Sequence, residues 1–200
     1  PIGYQAWKGY TRDLKDTELY RSLSDPGLAV TDGDGVYGIP YVVEGYGIIY
    51  NNEILSRYFA LENRAVKDIS SMDEVNNFAN LKAVVEDMTA HLDELGIKGV
   101  FASTSLAAGE QWRWQTHLAN MPMYYEFLDD NKDQSTVLTA LEADEIEFRY
   151  SDQFKNIFDL YLNNSITRST LLGSKSVADS MAEFALGQVA MVQNGNWAWS

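Results

Sequence analysis

The chain has 200 residues, 46% of them hydrophobic and 12% aromatic, which is enough apolar surface to bury a substantial core and argues against disorder. Its 29 acidic and 15 basic residues leave a net charge of −14, which argues against nucleic acid or an anionic lipid surface as partner, because phosphate contacts need clustered Lys and Arg. With no cysteine, disulfides and thiolate metal sites are excluded.

In chain order, IGYQAWKGY is followed by an acidic helical stretch over Asp16–Leu23 and a turn at Asp25-Pro26-Gly27, where proline presets φ and glycine accepts a positive one. Leu28–Thr31 and Val36–Ile39 flank Asp32-Gly33-Asp34-Gly35, which is a hairpin signal. The same acids fail as a calcium loop, since Val36 and Val43 would occupy its fifth and twelfth positions. Gly35–Asn52, GVYGIPYVVEGYGIIYNN, comes next. Val36, Ile39, Tyr41, Val42, Val43, Ile48, Ile49 and Tyr50 favour extended structure there, and Pro40, Gly45 and Gly47 interrupt it. The expectation is a bent ribbon with a single carboxylate, Glu44, at its corner.

Asn52–Phe59 is expected to be a short helix. Ser71 is placed as an N-cap with Glu74 completing a capping box, and Leu81, Val85, Met88, Leu92 and Leu95 carry a helical period that weakens near Asn76–Asn80 and stops at Gly96. Lys98–Ala102 is a buried strand, and Ser103, Thr104 and Ser105 lead through small residues into EQWRWQTHLAN, Glu110–Asn120. Tryptophans two apart on a helix lie on different faces, so Trp112 and Trp114 cannot both enter one core. Met121–Tyr150 is expected to be an acidic surface excursion ending in a strand at Ile146–Tyr150. Ser151 should cap a helix over Asp152–Asn163, with Phe154, Ile157, Phe158, Tyr161 and Leu162 on one face. Ser176 caps a last helix with Val177, Met181 and Phe184 inward, Gly187 ends it, and Gln188–Val192 is a strand. Asn194-Gly195 then turns the chain before Trp197 and Trp199, of which Trp199 is expected in the core.

Two of these stretches carry a resemblance. GVYGIPYVVEGYGIIYNNEIL resembles the inter-lobe crossover of the extracellular solute-binding proteins of ABC importers, in the carbohydrate-binding group that includes maltose-binding protein. Ala185–Ser200, ALGQVAMVQNGNWAWS, resembles that group's short strand followed by Asn-Gly and an aromatic pair. The resemblance implies an α/β fold, one lobe of a two-lobe periplasmic-binding-protein (type II) fold, with a mixed β-sheet flanked by helices. It makes residues 1–34 a partial inter-lobe or first-lobe segment, 35–50 the crossover ribbon and 51–200 a second lobe truncated at its C-terminus. The opening at Pro1, without a signal peptide or an apolar run of transmembrane length, agrees with reading the chain as a fragment. It further implies ABC permease subunits as partners and an extracellular setting, cell-surface lipoprotein or periplasmic, with membrane contact only through a lipid anchor outside this stretch.

Sugar sites pair an aromatic face, which meets the C–H patch of a pyranose, with carboxylates that accept from paired hydroxyls. Glu44, Glu110, Trp112 and Trp197 are of those types. In the family a carboxylate and an aromatic two residues apart project into the groove; Glu110 and Trp112 take those places, and the additional Trp114 leaves open which indole stacks. Tyr41, Tyr46 and Trp7 are further candidates. No cofactor or metal is expected, because His91 and His117 have no evident partners for a metal site or a triad. Two other readings share the chemistry. A glycoside hydrolase would need a catalytic carboxylate pair, for which the sequence holds no signature. A carbohydrate-binding module outside any transporter would need no hinge.

Overall fold

The computed structural model describes residues 2–130, 140 and 143–199. The side chain of Trp199, expected in the core, and residues 131–139 and 141–142 of the acidic excursion lie outside the described residues. The chain divides into two compact units, residues 1–44 with 127–145 and residues 45–126 with 146–200, so the break falls inside the ribbon, between Glu44 and Gly45.

The first unit holds helix α1 (Ile2–Trp7), α2 (Glu18–Arg21) and an antiparallel hairpin of β1 (Val30–Asp32) and β2 (Gly35–Gly38). Gly33 takes φ +55°, the sign a two-residue hairpin loop demands, so Asp32-Gly33-Asp34-Gly35 turns as expected. Tyr4 stacks on Tyr37 at 5.3 Å and donates to Asp32 at 3.1 Å, and Asp13 Oδ1 accepts the Val36 N–H at 3.0 Å. Beyond Gly38 the chain leaves the ladder. Tyr41, Val42 and Val43, expected to be extended, are exposed and belong to no strand, for Pro40 cannot donate to one.

The second unit is built on a three-stranded mixed sheet of β3 (Tyr46–Tyr50), β4 (Gly99–Phe101) and β5 (Val189–Gly195) in the order β3-β5-β4, with β3 antiparallel and β4 parallel to β5. Val189–Val192 are buried on both faces, as suits a central strand between layers. Two local expectations give way to this ladder. Gly47 does not break β3, and Asn194-Gly195 does not turn the chain, because Gly47 pairs with Asn194 and Tyr46 with Gly195. The ladder ends in two further bonds, Asn196 N–H to the Gly45 carbonyl at 2.9 Å and Gly45 N–H to Asn196 Oδ1 at 3.2 Å.

Helix α3 (Asn52–Ala60) is capped by the Asn51 side chain. Helix α4 (Phe78–Ala90) starts at Asn77, whose Oδ1 accepts the Asn80 N–H at 2.9 Å, and not at Ser71. Ser71 makes no cap bond; the Glu74 carboxylate turns to the N–H and hydroxyl of Ser70 instead. Next come α5 (Leu92–Leu95), closed by Gly96 at φ +67°, α6 (Asn120–Asp130), α7 (Ser151–Asn163) and α8 (Val177–Ala185). Ser151 begins α7 without capping it, whereas Ser176 and Asp179 form the reciprocal box that opens α8. These helices enclose a core that includes Tyr58, Val85, Met88, Leu95, Phe101 and Met191.

The expected strand at Ile146–Tyr150 does not form. Glu126, buried on α6, accepts the N–H groups of Glu147 at 2.8 Å and Arg149 at 2.7 Å. A side chain supplies the acceptors that a neighbouring strand would have offered. The architecture is nonetheless the α/β class of one lobe of a two-lobe periplasmic-binding-protein fold.

Candidate functional site

After β4 the chain passes through Ser103, Thr104 and Ser105, all buried. Glu183 of α8 fixes this loop: its Oε2 accepts the Ser103 N–H at 2.7 Å, while its Oε1 lies 2.7 Å from the Ser103 hydroxyl and 3.2 Å from Lys175 Nζ. Ser105 and Ser180 pair through their hydroxyls at 2.8 Å. The loop is therefore held rigid from behind.

It leads to Glu110 and a π-helical turn, Arg113–Leu118, in which the Ala119 N–H reaches back five residues to the Trp114 carbonyl at 2.7 Å. Such turns are rare and collect at functional sites. Residues five apart on an α-helix point about 140° away from each other, yet here the His117 ring stands edge-on to Trp112 at 5.3 Å. His117 also lies 4.3 Å from the Tyr46 ring of β3. Trp197, in the turn after β5, completes the group at 6.0 Å from Tyr46, 6.1 Å from His117 and 6.4 Å from Trp112. Four rings from three separate segments thus make one aromatic wall. Arg113 lies over the Trp112 face at 4.1 Å and pairs with Glu110 at 3.5 Å.

Trp197 depends on a glycine. A Cβ at Gly195 would meet its ring at 2.2 Å, so only glycine lets the indole lie down against β5. Trp114 has the opposite fate: it is 5% exposed, edge-on to Phe158 at 4.7 Å and to Tyr161 at 4.9 Å. Its indole is enclosed and offers no face for stacking, while Trp112 keeps 36% exposure. Glu44, Tyr41 and Trp7 are exposed residues of the first unit. Tyr46, Glu110, Trp112 and Trp197 come together. His117, expected in an ordinary helical stretch, and Arg113 were not anticipated; only the local change of helical period brings the former into the wall.

Behind the wall lies a cavity of about 20 Å³ whose lining includes Tyr46, Thr104, Arg113 and Trp114. Among the described residues, five buried side-chain atoms lack a hydrogen-bond partner: Tyr46 OH, Thr104 Oγ1, Gln111 Oε1, Arg113 Nε and His117 Nε2. All belong to this loop and turn or to the ring facing them. Burial pushes the Tyr46 hydroxyl up to about 12, with the Arg113 charge pulling the other way. A groove of about 410 Å³ also borders Tyr46 and His117 and runs past Ile48, Leu81, Met121 and Ile157, a volume in the range of small-molecule sites.

A mixed sheet with helices packed on it, bearing an aromatic wall on the loops around one strand end, defines the class as an α/β lobe of the solute-binding type. A family model described as bacterial extracellular solute-binding protein matches residues 1–200, and the chain belongs to that family, in agreement with its two sequence motifs. Among solved structures, the apo form of RafE from Streptococcus pneumoniae superposes with a TM-score of 0.61 at 18% identity, over 100% of this chain and 46% of that one. The likeness is one of fold, and the chain spans a little under half the length of that relative. No curated protein sequence matches it significantly.

Proposed function

We propose that this chain is part of the oligosaccharide-capturing component of an ABC importer, with the second unit supplying an aromatic wall for pyranose faces and Glu110 an acceptor for their hydroxyls. The observation that carries this reading is the meeting of Trp112, His117, Tyr46 and Trp197 at ring distances of 4.3 to 6.4 Å beside the Glu110–Arg113 pair. Flat rings suit the C–H patches of sugars, and charge-assisted acceptors suit their rims. Unpartnered buried polar atoms behind the wall favour a polar guest over a purely apolar one. Glu44 and Tyr41 stay in the proposal on the strength of the sequence resemblance, as does the division into a partial first-lobe segment, a crossover ribbon and a second lobe. The same resemblance supports permease subunits as the partners of the ligand-loaded protein, and a place outside the cytoplasmic membrane, periplasmic or held by a lipid anchor.

The test is calorimetry and thermal shift on the full-length protein with a panel of α- and β-linked gluco-, galacto- and fructo-oligosaccharides, followed by chromatography of the sugars after incubation. Binding without turnover is expected. Hydrolysis of any of them would favour the glycoside-hydrolase reading, and an absence of binding across the panel would remove the sugar reading. Small-angle scattering with and without the bound sugar tests closure; an unchanged radius would favour a binding module outside transport. Glu44→Gln should weaken the same binding about three- to tenfold if its carboxylate accepts from a sugar hydroxyl.

A further inference from the structure

The wall and its groove leave one feature unexplained, a small, partly open cavity bordered by Tyr46 and Arg113. Thr104 is 4% exposed, and its Oγ1, Tyr46 OH and Arg113 Nε are all buried without partners against one small cavity. Its volume decides what can enter. A water-sized group needs about 10–15 Å³, and about 20 Å³ is on offer, so the cavity holds one oxygen. The chemistry of the lining narrows the guest further. Arg113 Nε–H can only donate, so the guest must accept, and an ammonium is excluded. The hydroxyls of Tyr46 and Thr104 can each donate or accept. A guest that accepts two bonds and donates one satisfies all three orphans, and a neutral hydroxyl has that inventory.

We infer that this cavity is a one-oxygen subsite that takes a single hydroxyl of the captured sugar, with Thr104, Tyr46 and Arg113 as its recognition groups. The inference rests on the sugar-binding reading and deepens it: the rings set which face of the ring system is bound, and the subsite sets which hydroxyl position is required. Tyr46 links the two roles, since its ring belongs to the wall and its hydroxyl to the cavity. Glu183 contributes as a positioning residue, because its hold on Ser103 places Thr104. A hydroxyl-lacking analogue would leave buried donors unpaired, which is how a small polar site discriminates strongly.

The experiment measures affinity in the full-length protein for D-glucose, D-galactose and their 2-, 3-, 4- and 6-deoxy analogues, in wild type, Thr104→Val and Tyr46→Phe. For one position of the parent sugar, the deoxy analogue should bind wild type about tenfold more weakly. Thr104→Val should lose a similar factor for the parent sugar and discriminate little against that analogue, so that the two losses do not add. If wild type binds none of these sugars or any oligosaccharide of the panel, the sugar reading fails and the subsite with it. If it binds them but both variants keep the wild-type affinity, the subsite alone is overturned. Losses that are equal for the parent and every deoxy analogue also overturn it, for they would mean that the cavity serves a structural water. Melting temperatures of both variants are recorded without ligand, and Tyr46→Phe, which keeps the wall ring, stands in should Thr104→Val fail to fold.

Discussion

The second unit contains two kinds of buried polar group. In its scaffold, three acids are sunk among helices and strands, and each is paired: Asp87 accepts from Tyr58 OH at 2.8 Å and from the N–H groups of Ala65 and Val66 at 3.0 and 3.1 Å, Glu126 from Glu147 and Arg149, and Glu183 from Ser103 and Lys175. Around the aromatic wall, five buried atoms among the described residues have no hydrogen-bond partner. Leaving a buried polar group unpaired costs about 1–3 kcal/mol, so a fold that satisfies its acids elsewhere and not here has kept these groups for something else. Satisfaction marks what holds the lobe together, and its lack marks where a ligand is expected.

This contrast can be broken at four points. Trp114→Ala empties a place in the scaffold and should cost about 3–5 kcal/mol of unfolding free energy; urea titration giving less than about 1 kcal/mol would show that Trp114 is not core. Asp87→Asn keeps a carbonyl oxygen for the donors of Tyr58, Ala65 and Val66, all of which bond Oδ2, but removes the charge that strengthens these bonds, with an expected loss of about 1–3 kcal/mol near neutral pH. Burial works against ionisation of Asp87, but the N–H of Val66, the Tyr58 hydroxyl and the N–H of Ala65 outweigh it and hold its carboxyl below the usual range. Its folded pKa is thus lower than its unfolded one, near about 3.9. The stabilisation is complete above that unfolded value and is lost as the pH falls through the folded one. Acid titration of wild type and variant should therefore converge at low pH, and curves that stay parallel would refute the assignment.

At the wall the signature reverses. Trp197→Ala should weaken sugar binding by more than about 1 kcal/mol while stability moves less than in the scaffold variants; unchanged calorimetry would remove Trp197 from the site. Gly195→Ala acts one step removed, since its methyl would displace the Trp197 ring, and should weaken binding by about 1 kcal/mol. An unaltered tryptophan fluorescence spectrum in that variant would show that the ring does not rest on Gly195.

What the sequence revealed and what it hid follow the same division between local and distant causes. The hairpin at Asp32–Gly35, the cap of Ser176, and the amphipathic faces of α4 and α7 depend on residues a few positions apart, so they were legible. Asn194-Gly195 has the composition of a turn but is claimed by β3, about 150 residues earlier in the chain, and Ile146–Tyr150 has the composition of a strand but gives its N–H groups to Glu126. Tyr46, Glu110, Trp112 and Trp197 were named from residue type and resemblance, which say what a sugar site needs. Arg113, His117 and Thr104 were not, because a π-helical turn and an unpartnered hydroxyl exist only in three dimensions.

The pair of bonds between Gly45 and Asn196 has a mechanical consequence. They clip the entering strand to the exit of β5 at the residue where the second unit begins, so Gly45 is anchored. The ladder therefore fixes Tyr46 at the start of β3 next to Trp197 beyond the end of β5, so the ring group is set by strand register and not by its own loops.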